Sequence, residues 1–166
     1  MNTEIVSNVI SLVSAIASVF ATVFAAVELR RSRKANEEIK DRERKEATIN
    51  AYNILQNQVL DKLVSFSAEE IEDLVENIDR DEFKKIYMDY KTLIARCEHF
   101  AVGINENIYD FEVLYELSGE HLVFLYRKVK PIIDHARKNC VNSIPFHEFE
   151  EMVNNLEKMN KSKKEK

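Results

Sequence analysis

The densest run of chemically capable side chains in the chain is Arg96, Cys97, Glu98 and His99. Residues three apart on a helix share a face, so Arg96 and His99 can present a guanidinium and an imidazole together, a pair that would grip a phosphodiester. The same spacing suits an ordinary polar helix face, where Arg meets a carboxylate and His meets solvent, and this plainer reading is the preferred one. Cys97 beside Glu98 and His99 spells a nucleophile with a base, yet consecutive helical residues point about 100 degrees apart. His99, His121, His135 and His147 are scattered and no cysteine pair is close, so no metal-ligand spacing occurs. Neither Gly103 nor Gly119 belongs to a run whose backbone amides cradle a phosphate. The expectation is a protein without metal or cofactor and not an enzyme, with Arg96 and His99 as the one candidate pair for such chemistry.

The elements that must position these residues are helical. The chain has 166 residues with 2 Gly, 2 Pro and no Trp, while Leu, Ile, Val, Glu and Lys recur at helical spacing. Its length allows one ordinary domain and no second catalytic one. Tyr52, Leu55, Val59, Leu63 and Phe66 share a face, and Ser67 with Glu70 forms a capping box for a short acidic helix to about Asn77. Asp79 with Glu82 repeats the device. The strongest period runs through Phe83, Ile86, Tyr87, Tyr90, Leu93, Ile94, Cys97, Phe100, Ala101 and Ile104, the expected spine of the core. Asp110 caps a helix through Leu117, Ser118 and Gly119 mark a break or tight join before Leu122, and Pro131 a kink or first turn of the continuation. Ser143 and Pro145 open a last helix carrying Phe146, Phe149, Met152, Val153 and Leu156. Cys97 and Cys140 fall among apolar residues and read as two reduced core thiols, which fits a reducing compartment.

The net charge of -5 hides a segregation, with Arg30, Arg31, Arg33 and Lys34 near the start and Glu69, Glu70, Glu72, Asp73, Glu76, Asp79, Asp81 and Glu82 in the middle. No long basic face for direct nucleic-acid binding follows from this distribution. Ile5 to Val27 carries no charge, so residues 1–29 are expected to form a transmembrane helix. The basic residues behind it orient the domain toward the cytoplasm of a bacterial inner membrane, with the N-terminus outside. Ser7, Ser11, Ser14, Ser18, Ala21, Thr22 and Ala25 form one stripe of this segment, which argues for packing against other helices or facing a shared lumen. Residues 30–46 read as a charged helical stalk with pairs such as Glu38 and Arg42, 47–159 as a cytoplasmic helical bundle, and 160–166 as a disordered Lys-rich tail.

Such a segment followed by a helical domain with Arg and His on a central helix resembles the small membrane accessory proteins of type VI-B CRISPR systems. The chain also resembles a wider bacterial family of anchored helical domains, through Glu98, His99, Phe100, Ala101, Val102, Gly103 and Ile104, then Ile108, Tyr109 and Asp110. The resemblance implies an all-α HEPN-like bundle, homo-oligomeric and pore-forming, with a functional link to an RNA-guided CRISPR nuclease in antiphage defence. HEPN ribonucleases place a His a set distance after an Arg; Arg96 to His99 is closer than that pattern, while Arg127 to His135 and Arg137 to His147 are farther apart. The leading expectation is a homo-oligomeric pore in the lipid bilayer. Its alternatives are a tethered ribonuclease using Arg96 and His99, and a non-enzymatic adaptor whose acidic stretch from Glu69 to Glu82 meets a cytoplasmic partner.

Overall fold

The computed structural model describes the backbone of residues 2–138, 140 and 144–164, and the side chains of residues 18, 20, 22–138, 140 and 144–163. Every described element is a helix: α1 (Asn2–Leu55), a π-helical turn (Gln56–Leu60), α2 (Asp61–Val64), α3 (Ala68–Glu76), α4 (Asp81–Asn105), α5 (Phe111–Lys138) and α6 (His147–Lys164). Two units divide the chain, residues 1–43 and residues 44–166, so the boundary falls inside α1 rather than at the expected 46/47.

The first unit corrects the expectation of a transmembrane helix over 1–29. Among the described residues no helix is long and apolar enough to cross a membrane. Within the described side chains of α1, the run holding Phe20, Val23, Phe24 and Val27 gives way to Glu28, Arg30 and Arg31. The side chains of Ser7, Ser11, Ser14 and Ala21 lie outside the described residues; Ser18, Thr22 and Ala25 are exposed. The Thr22 hydroxyl donates to the Ser18 carbonyl at 2.8 Å, satisfying itself on its own helix. Arg31 pairs with Glu28 at 3.2 Å, and Arg30, Arg33 and Lys34 are exposed beside it.

In the second unit α6 packs on α4 and α5, and α3 packs on α5 and α4. The core takes Ile94, Cys97, Ala101 and Ile104 from α4, Leu122, Leu125, Val129, Ile132 and Ile133 from α5, and Phe149, Met152 and Leu156 from α6. Burying each such Leu, Ile, Met or Phe contributes about 1.5–3 kcal/mol. α4 therefore is the spine its period predicts. α3 opens with the expected capping box: Glu70 N–H donates to the Ser67 hydroxyl at 3.1 Å and Ser67 N–H to the Glu70 carboxylate at 2.6 Å. The second box does not form. The residue before α4 is Arg80, which makes no side-chain cap, so neither Asp79 nor Glu82 plays the role assigned to it.

α5 departs from helical backbone at Ser118 (φ -162°, ψ 22°), where a join was expected, and carries Pro131 inside the continuing helix. Three further expectations change. Phe66 is 38% exposed rather than wholly on the core face, because the chain leaves the helix at Ser65. Cys140 is exposed, leaving Cys97 as the buried thiol. The Lys-rich end is helical through Lys164, where Lys163 reaches Glu116 at 2.6 Å and sits over the Tyr115 ring.

Candidate functional site

Arg96 and His99 emerge on the exposed side of α4 because the inward positions of its period go to Ile94, Cys97, Phe100 and Ala101. Opposite them lies the junction of α1 with the π-helical turn, whose wider ring closes when Asp61 N–H donates to the Gln56 carbonyl. The turn buries two consecutive residues, Val59 and Leu60, and leaves Gln58 exposed. Arg96 Nη1 donates to Gln58 Oε1 at 3.2 Å, so α4 and the π turn are joined across a cavity of about 380 Å³. Ala51, Ile54, Leu55 and Val59 form its apolar wall, Arg96, His99 and Phe100 the facing wall, and Tyr109 its end. Ile54 is 58% exposed there. π turns of this kind are rare and recur at functional sites.

The end of the groove is built by the chain's Glu98–Asp110 block. The Tyr109 ring stacks on Phe100 with centroids 5.4 Å apart, and its N–H donates to the Gly103 carbonyl at 2.9 Å. Asn107 turns the chain with φ 57°, a left-handed conformation Asn tolerates. Asp110 then accepts from Val113 N–H at 3.0 Å to cap α5, pairs with Arg44 at 3.0 Å, and donates its own N–H to the Thr48 hydroxyl at 2.7 Å. Glu98 points away from the groove and accepts from the N–H groups of Glu148 and Phe149 at 3.1 and 2.7 Å, capping the start of α6.

These placements dismantle the nucleophile constellation. Cys97 is 1% exposed and burial pushes its thiol up to about 12, so it is protonated at neutral pH. Glu98 is committed to α6, and His99 faces outward. Of the other Arg and His residues weighed above, Arg127 pairs with Glu157 at 2.7 Å, His135 Nδ1 meets the Tyr87 hydroxyl at 3.0 Å, Arg137 pairs with Glu150 at 2.9 Å, and His147 Nε2 lies 3.9 Å from Glu151. Among the described residues no group of three or more His, Cys, Asp or Glu is placed to hold a metal.

What the groove offers is an apolar trough with one guanidinium on its rim. Among the described residues the hydrogen bond Arg96 makes is to the neutral amide of Gln58, and no carboxylate pairs with it. The expected acidic contact face is also present as surface: Glu69, Glu72, Asp73, Glu76, Asp79, Asp81 and Glu82 are exposed. Sequence reasoning placed Arg96 and His99 but missed Ile54 and Gln58, since a π turn leaves no periodic signature; Tyr109, quoted there only for the resemblance, reaches the groove through its tertiary stacking on Phe100.

A family model described as a domain of unknown function, DUF4760, matches residues 8–156. The chain belongs to the DUF4760 family. Its match covers the π turn, the Glu98–Asp110 block and both walls of the groove, so the site belongs to the family's matched region. No curated protein and no solved structure matches the chain.

Proposed function

We propose that this DUF4760 chain is a non-enzymatic adaptor whose groove takes an amphipathic helix of a protein partner. One observation carries the reading: Ile54 stands 58% exposed in an apolar trough beside Arg96, whose hydrogen bond goes to a neutral amide. Helix-in-groove recognition seats apolar anchors spaced about a turn apart in an apolar groove, and a charge on the rim sets its register. A carboxylate from the incoming helix gains a charge-assisted bond to Arg96 that Gln58 does not supply. The test is fluorescence anisotropy of the full-length protein with a labelled helical peptide bearing apolar residues at i, i+3 and i+7 and one Glu. Saturable binding that Ile54→Asp weakens by about tenfold or more, equivalent to ~1.4 kcal/mol, supports the adaptor; no binding sinks it.

The ribonuclease alternative keeps a foothold because Arg96 and His99 line the same cavity. RNA cleavage by the purified protein, lost in His99→Ala, would replace the adaptor reading.

A further inference from the structure

We propose that the helix taken by the groove is α1 of a second copy of this chain, docked by the face that bears Phe20, Val23, Phe24 and Val27. The inference rests on the helix-docking reading above and names its occupant. These four residues are 70%, 56%, 68% and 40% exposed. Their spacing of i, i+3, i+4 and i+7 places them on one stripe of α1, the form a groove-seated helix presents. Large apolar side chains exposed together on one stripe favour burial against a partner.

Charge selects the partner. Glu28 follows the stripe directly, and its carboxylate is held at 3.2 Å by Arg31 in a pair whose side chains are 50% and 74% exposed. An exposed i,i+3 pair of this kind is weak, so Glu28 can turn to Arg96 of another copy, where the competing acceptor is the Gln58 amide. At longer range, the exposed Arg30, Arg33 and Lys34 of one copy carry charge opposite to that of the exposed Glu69, Glu72, Asp73 and Glu76 of another. Such complementarity steers encounter and weakens as salt screens it. The contact joins two different surfaces, so it closes as a reciprocal pair or continues along a chain of copies.

Multi-angle light scattering of the full-length protein across concentration and salt tests this. The expected result is a mass above the monomer that falls with rising salt. Phe24→Asp, at an exposed position, should yield monomer with unchanged circular dichroism. Arg96→Glu and Glu28→Arg should each raise the concentration of half-assembly by about tenfold or more, and the double exchange should restore it. A wild-type monomer at every concentration overturns the proposal, as does assembly indifferent to Phe24→Asp and to the charge exchange. A wild-type monomer that still binds the acidic helical peptide overturns the second copy as occupant and leaves helix docking standing; a monomer that binds no helix overturns both.

Discussion

At the scale of single residues, Gly103 shows how the groove is held in shape. It lies in α4 with helical backbone, so its use is space and not conformational freedom. A Cβ at this position would collide with the Tyr109 ring, which is already stacked on Phe100. Gly103→Ala should gain about 1 kcal/mol of helix propensity and lose more by displacing the ring, for a net destabilisation of about 1–3 kcal/mol. Urea unfolding followed by circular dichroism measures it, and a variant more stable than wild type would show that Tyr109 moves freely. The two cysteines differ for a related reason. At neutral pH a maleimide should label the exposed Cys140 and spare Cys97, whose thiol burial keeps protonated; mass spectrometry of the digest distinguishes them.

At the scale of elements, features that depend on neighbours along the chain were legible and those that depend on tertiary partners were not. The Ser67–Glu70 box closes over three residues, so the sequence pattern alone announces it. Ser67→Ala should cost about 1 kcal/mol, which lowers Tm by about 4 °C in a domain of this size. A calorimetric scan with no shift would mean that the burial of Ile71 and Leu74 alone holds α3 in place. The Asp79–Glu82 pattern is as plausible on paper, yet the helix starts one residue late and the backbone before it belongs to Arg80. The π turn is the opposite case: no local rule requires it. It lets Val59 and Leu60 both enter the core, a demand that only the packed neighbours impose.

At the scale of the whole molecule, α5 and α6 are clasped by Tyr126, Arg137 and Glu150. The Tyr126 hydroxyl donates to Glu150 at 2.9 Å, and Arg137 pairs with Glu150 at 2.9 Å while donating to the carbonyls of Pro145 and Phe146 at 3.0 and 3.3 Å. Arg137's hydrogen bond holds the Glu150 carboxyl below its usual range, against the opposing effect of burial and with help from Tyr126. A carboxyl lowered on folding contributes stability above its unfolded value, about 4.5, and that stability is lost as pH falls through the lower folded value. Thermal stability should therefore decline as pH falls below about 4.5. Glu150→Gln should flatten that slope and cost about 1–3 kcal/mol at neutral pH. An unchanged slope would place the acid-sensitive group elsewhere.

The sequence by itself determined that this protein is all-helical, that α4 is its spine, that α5 breaks at Ser118, and that Arg96 and His99 share an exposed side. Each of these follows from periodicity or from contacts within one turn. Only the tertiary structure decided what lies opposite Arg96, that Glu98 caps α6, and that Ile54, Gln58 and Tyr109 complete a groove. Those pairings join residues far apart along the chain, and no spacing rule within a helix encodes them. The apolar start of α1 is the instructive miss. Hydropathy read along the sequence suggested a bilayer partner, whereas among the described residues no helix is long and apolar enough to cross one, and the exposed Phe and Val stripe beside Glu28 is a surface whose occupant depends on what packs across it.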